Sequence, residues 1–367
     1  MPNTNTMTTV IPQILAQGLL CLRENAVMPR FVARGYDPTP GEKGSSVDVP
    51  VSSAIAVQDV TPSYVPPDDA GQTPTKVSVL LDKWKEAPFF LTDREIDDVT
   101  AGYLPMQAQE AVKALANQID RDILALYKDV YGFAGAAGTT PFATSATEFL
   151  QADQILDDQL APTSGRNFVM NAKAKAAALG LTNIQSAYGR GDTSGIKKGE
   201  LGEILGANWF MDQNVPRHTA GTITTGLIAK AATAVAAGLK TFVATTAAST
   251  GACALVVGDV IAIAGHTTTY VLTAAATQAS AASDVTLVFE PALERALVGS
   301  EAITVKASHR VNLVFHRDAF ALAMRPFSVG DQFGHTRRRG RNAVLIVLNL
   351  GGNADQHGSS SCESCNV

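Results

Sequence analysis

Between residues 44 and 131 a β-patterned stretch runs directly into one long amphipathic helix, and that junction constrains the fold more than any other part of the chain. Val47, Val49 and Val51 alternate, as do Val77, Val79 and Leu81, the period of strands with one wet and one packed face. Pro62, Pro66, Pro67, Asp68, Asp69, Gly71 and Pro74 lie between them as a turn-rich tip. Val112, Leu115, Ile119, Ile123, Leu126 and Val130 then recur three or four apart and share one helical face. Over residues 106–131 such a helix is roughly 39 Å long at about 1.5 Å per residue. A protruding two-stranded loop cannot bury itself, and so long a helix exceeds what a small domain needs. Both parts suit a subunit that completes its packing against copies of itself.

With 367 residues, 46% hydrophobic and 17% charged, the chain is long enough for two or three domains with cores of their own. A net charge of -5 argues against a molecule built throughout to wrap nucleic acid, while leaving room for a local basic patch. Cysteine usage points to a reducing compartment. Cys21 and Cys253 are far apart, and Cys362 with Cys365 forms a lone CxxC. Even with His357 nearby, that pair falls short of the four ligands of a structural zinc site. No metal and no cofactor is expected. Residues 1–9 are polar and uncharged, unlike a signal peptide, and the apolar run 231–237 is too short to span a bilayer. The reading is a soluble protein made in the cytosol, with no membrane partner.

Along the chain the pattern changes several times. Residues 11–24 read as a helix that docks on the chain's own core or packs on a neighbour, two readings the sequence does not separate. Thr92 and Glu95 form a capping box for a short helix, and Pro105 suits the start of the long one. Residues 144–217 read as α/β: a helix capped by Ser145, a short buried strand around Phe168, Val169 and Met170, an Ala-rich helix, and strand-like residues around Trp209. From about residue 220 to 306 Thr, Ala, Val and Gly dominate and charge almost disappears. Short β-branched runs at 242–246, 260–263, 269–272 and 285–289 alternate with turn signals, the signature of a small all-β barrel or sandwich. A strand over 310–315 and a short helix over 316–324 mark a return to α/β character, which makes the β unit an insertion.

Catalytic signals are scarce. No Gly-x-Ser-x-Gly elbow occurs. His218, His266, His309 and His316 are scattered and lack a helical His partner, and the adjacent pairs Asp97-Asp98 and Asp157-Asp158 read as solvated surface. Arg190-Gly191-Asp192 is too short a match to carry adhesion, and Lys173, Lys175, Lys197 and Lys198 read as a solvated face. Arg337, Arg338, Arg339 and Arg341 form a dense run, either a disordered basic tail or a salt-dependent phosphate contact.

Taken in order, the parts resemble the major capsid proteins of tailed bacteriophages, the Hong Kong 97-type fold, and most of all the podovirus coat proteins with an inserted β domain. Val77-Ser78-Val79-Leu80-Leu81 through Trp84 to Phe89 resembles the return strand of that family's extended loop, and Leu91 to Glu95 its step into the spine helix. Residues 109–131 look like the spine helix itself. Arg166-Asn167-Phe168-Val169-Met170 is similar to the central strand of the axial domain, and residues 312–322 to the re-entry after the insertion.

The resemblance implies an α+β fold divided into an N-terminal arm (1–40), an extended β loop (41–91), a peripheral domain with spine helix (92–143), an axial domain (144–219), an inserted β domain (220–306), a return segment (307–327) and a basic tail (328–367). It implies a non-enzymatic shell subunit forming hexamers and pentamers, with a scaffolding protein, a portal protein and double-stranded DNA as partners. Its place would be the virion capsid, and the host cytoplasm during assembly. Val77, Val79, Leu81 and Trp84 become candidate contacts between copies, so that Asp at Val79 and Leu81 would leave a soluble monomer unable to form shells. An encapsulin-like compartment is the alternative, and an unrecognised α/β enzyme a weaker one. Residues 328–367 depart from the family pattern, which points to a shifted frame, a truncated product or a degenerate copy; were the closing strands missing, two strands elsewhere would lose their ladder partners.

Overall fold

The computed structural model describes residues 27–34, 46–51, 75–85, 87, 103–186, 197–223, 226–230, 234–246, 253–278, 284–323, 344–346 and 364–366. The helix read at 11–24, the capping box at Thr92, the Arg190 tripeptide and the arginine run at Arg337, Arg338, Arg339 and Arg341 lie outside them.

Strands β1 (Ser46–Val51) and β2 (Thr75–Leu80) form an antiparallel pair in which Val47 faces Val79 and Val49 faces Val77. After β3 (Lys83–Lys85) comes α1 (Tyr103–Leu124), with Pro105 in its first turn, where a missing N–H costs nothing. The single helix expected over 106–131 therefore starts earlier and tightens into a 3-10 turn at Ala125–Asp129. Val130 is extended, and the chain passes into β4 (Gly132–Phe133).

Ile123, Leu124 and Tyr127 share a core with Met28, Val32, Val49, Val79, Leu313 and Phe315. One carboxylate lies within that apolar face. Asp120, fully buried, accepts the backbone N–H groups of Val27 (3.0 Å) and Met28 (2.8 Å) and the Asn214 side-chain amide (2.9 Å). A buried carboxylate is tolerated when donors surround it, and these three bind two distant segments to the helix.

Next come α2 (Thr147–Asp158), β5 (Arg166–Met170), α3 (Ala172–Leu179), α4 (Thr182–Gln185), β6 (Gly202–Ile204), β7 (Ala207–Met211) and β8 (Arg217–His218). Every residue of β5 is buried, as expected of a strand covered on both faces, and it runs parallel to β7. Phe142, Phe149, Phe168 and Trp209 pack with centroids 4.9 to 5.8 Å apart beneath it. Ser145 is not the N-cap of α2. Ala146 holds that place, and the Ser145 hydroxyl accepts the Thr147 N–H at 3.4 Å. Asn171 does cap α3, accepting the Ala174 N–H at 2.8 Å.

Strands β9 (Thr222–Ile223), β10 (Leu227–Ala229), β11 (Thr241–Thr246), β12 (Cys253–Leu255), β13 (Val260–Ile263), β14 (Thr269–Leu272), β15 (Ala276–Gln278), β16 (Val285–Glu290) and β17 (Ala302–Val305) follow. Six of them close a barrel in the order β10-β11-β16-β14-β13-β17, while β15-β12-β9 form a small companion sheet. Burial alternates along β11 and β16, so one side of each strand fills the barrel with Phe242, Ala244, Leu287 and Phe289.

The strand expected over 310–315 is two strands, β18 (His309–Arg310) and β19 (Leu313–His316). Of the expected helix over 316–324, the described residues 316–323 hold only a 3-10 turn at Arg317–Ala319. Phe320, Ala321, Leu322 and Ala323 are all buried in succession, which suits extended backbone covered on both sides, and the Leu322 N–H bonds the Ala33 carbonyl at 2.9 Å. Two short strands complete the ladders: β20 (Val344–Ile346) pairs with β3, and β21 (Ser364–Asn366) lies between β19 and β4. β19 therefore has a ladder partner on each side, β5 and β21. The central sheet runs β4-β21-β19-β5-β7-β6 with mixed directions, and with the helices it makes the chain α+β.

Candidate functional site

The sequence-derived contact residues divide between the chain's own core and its surface. Val79 is 0% exposed and lies in the core beneath α1, and Leu81 packs against the same cluster. That differs from their reading as contacts between copies. Alternation along a strand shows that one face is packed, but not whose atoms pack on it. Val77 is half-buried, and the Trp84 side chain lies outside the described set. On the opposite face of β2, Lys76 and Ser78 are exposed, and Leu80 is 56% exposed. Other large apolar side chains on the surface are Leu150 in α2, Leu160 just after it and Leu205 just after β6, together with Leu239, Val256 and Val298 in the barrel stretch. Leu150 and Leu205 border a groove of about 750 Å³ floored by Ile184 and Ile204.

Buried charge holds α2 in place. Arg166, 3% exposed, pairs with Asp153 at 2.5 Å and Asp157 at 2.6 Å, and also donates to the Ala161 and Pro162 carbonyls at 2.9 Å each. Asp157 is therefore a structural partner, not merely a solvated residue. Burial disfavours the charged guanidinium, but its two carboxylate partners outweigh that and hold its pKa above the ordinary value.

Two histidines that are far apart in sequence meet beside the barrel. The β8–β18 ladder sets His218 opposite His309 and Arg217 opposite Arg310, and the imidazole centroids are 5.5 Å apart. His218 Nδ1 lies 3.0 Å from the Tyr127 hydroxyl, and its Nε2 lies 2.8 Å from Asp259 Oδ1. Asp259, fully buried in the turn before β13, also accepts N–H groups from Gly221 (3.2 Å) and Val256 (2.8 Å). A carboxylate only accepts, so Nε2 carries a proton; with the ring neutral, the Tyr127 hydroxyl donates to Nδ1. Gly221 is obligatory here, because a Cβ would stand 2.3 Å from the Ala254 carbonyl oxygen.

The Tyr–His–Asp chain has the order of a catalytic relay but no accessible nucleophile. Tyr127 is buried, and burial followed by the nearby Asp259 raises its pKa. Its role is to join barrel, helix end and β8. Nothing in the local sequence announced it, since the three residues lie on separate elements. A cleft of about 690 Å³ opens alongside, bordered by Lys173, Arg217, Arg310, Glu148, Asp212 and His309. Among the described residues no group of three His, Cys, Asp or Glu is placed to hold a metal ion, and no helix is long and apolar enough to cross a membrane.

No family model matches the sequence, and no curated protein matches it. Solved structures do. A chain from Mycobacterium phage Che8 aligns over 100% of this chain and 96% of its own at 16% identity, with a TM-score of 0.53. A chain from the capsid structure of the cyanophage P-SCSP1u aligns over 94% and 87% at 10% identity, with a TM-score of 0.47. The full-length alignment with the Che8 chain shows that the two share a fold. The molecule is an α+β chain whose fold also occurs in a phage protein.

Proposed function

We propose that this chain is a major capsid protein of the Hong Kong 97 type, self-assembling into an icosahedral shell that packages double-stranded DNA. The full-length fold match to a phage chain carries the reading. The order of the parts supports it: a two-stranded β1–β2 extension, a 22-residue helix, an α/β sheet and a closed barrel set between the sheet's strands. In this reading the chain works by packing and not by chemistry. The barrel (220–306) is an inserted domain, 144–219 with its exposed Leu150, Leu160 and Leu205 meets copies around the symmetry axes, and the β1–β2 extension lies over a neighbour. Scaffolding and portal proteins are its assembly partners, and the arginine run at 337–341 is a candidate DNA contact. The virion capsid is its location, after assembly in the host cytoplasm.

Burial moves the informative mutation from Val79 to Leu80. Asp at Val79 would unfold the subunit itself, whereas Leu80→Asp changes only the outward face of β2 and should alter subunit stability by about 0.5 kcal/mol or less. Sedimentation velocity should show large particles for the parent chain and a folded, slowly sedimenting species for Leu80→Asp. Particles of normal size from the variant would remove β2 from the contact.

A further inference from the structure

All the chain that builds the barrel enters through β8 and leaves through β18, so the β8–β18 ladder is the barrel's neck. Four side chains that are or can become cationic face one another there in two opposed pairs, His218 with His309 and Arg217 with Arg310. Like charges directly opposite on a ladder repel. The single carboxylate inside the junction, Asp259, is already committed to His218, Gly221 and Val256.

His309 is the unsatisfied member. Its Nδ1 faces the Ala307 carbonyl at 2.8 Å and must carry the proton, which leaves Nε2 as a bare acceptor. Nε2 is buried and has no hydrogen-bond partner. A second proton would therefore create a donor with no acceptor and a cation beside another imidazole, with the Phe133 ring edge-on at 5.1 Å on the other side. The charged or titratable groups around it are Tyr127 and His218, Asp259 on the barrel, Lys306 over the Phe133 ring, and Lys173, Arg217, Arg310, Glu148 and Asp212 along the cleft. That cleft, which His309 borders, gives protons a path to the ring.

We infer that the His218–His309 neck is an acid-sensitive latch: it fixes the barrel to the body while His309 is neutral and releases it when His309 takes up a proton. Titration agrees in sign. Burial comes first and His218 adds to it, and together they hold the His309 pKa below 6.5 despite the opposing pull of the Ala307 carbonyl and Asp259. A histidine whose pKa is lowered on folding contributes stability that is fully present above 6.5 and is lost as pH falls through the lowered value.

Hydrogen exchange of the Gly221 and Val256 amides reads the latch, because both donate to Asp259. After correction for intrinsic rates, their protection in the full chain should fall at least tenfold between pH 7.5 and 5.0. The Phe289 amide, bonded to Lys240 inside the barrel, should change little. His309→Gln should keep Gly221 and Val256 protected at both pH values. Unchanged protection in the parent chain, or the same fall in His309→Gln, would overturn the latch. Should the glutamine chain not fold, the midpoint of the parent's fall decides: below 6.5 in the histidine range supports it, and near about 4, where carboxylates titrate, refutes it.

Discussion

In the barrel, each hydrogen-bonded strand comes from the single stretch 227–305, and the core is almost entirely apolar. In the body, the six-stranded sheet gathers strands from 132 to 366; buried Arg166 ties α2 to that sheet, and buried Asp120 ties two distant segments to α1. Local alternation is enough for the first region. The second depends on pairings between residues that are far apart, each with a desolvated polar group that stabilises only when all its partners are in place. The two regions meet at the Tyr127–His218–Asp259 chain, and close to it the Thr269 hydroxyl donates to the Tyr131 carbonyl and Lys306 lies over the Phe133 ring, so damage to one should reach the other across this shared border.

The largest effect belongs to the barrel. Phe289, fully buried against Phe242 and Tyr270, should cost about 3–5 kcal/mol when truncated to Ala. Urea unfolding of the unassembled chain should then separate into two transitions, with the barrel first; one merged transition would mean that the regions unfold as a unit. Arg166→Ala should cost roughly 3 kcal/mol, the low end for a broken buried pair because Asp157 is half exposed and screened. It should lower the body transition and leave the barrel's in place. Smallest is Tyr127→Phe, at about 1 kcal/mol for one hydrogen bond lost to His218. Circular dichroism melts should show that loss with native-like spectra on either side.

How much of this was legible in the sequence follows the same division. The runs at 242–246, 260–263, 269–272 and 285–289 fall on β11, β13, β14 and β16, because β-branched runs bounded by turn residues mark strands whether burial alternates, as along β11 and β16, or is nearly continuous, as along β13 and β14. The fully buried strand β5 also stood out as an apolar run. The junction did not. Gly258-Asp259 reads as a turn, and only the folded chain brings His218 to that carboxylate. Asp157 looked solvated for the same reason, since its partner Arg166 lies on another element. Residues 316–324 have a helix-like composition, yet after the 3-10 turn at Arg317–Ala319 four buried side chains in a row, Phe320 to Ala323, suit extended backbone.

The direction of Val79 marks the limit of pattern reading most clearly. Its strand period was correctly visible, but the packed face belongs to the chain's own core, and Leu80 is the residue turned outward. If the molecule is a shell subunit, that outward face is part of what its neighbours recognise.

Electron microscopy of the purified chain tests this most directly. Closed particles of uniform diameter, holding nuclease-protected DNA when recovered from the producing cell, are the expected result. A preparation that stays monomeric at every concentration, with the fold intact, would contradict the assignment as a shell protein.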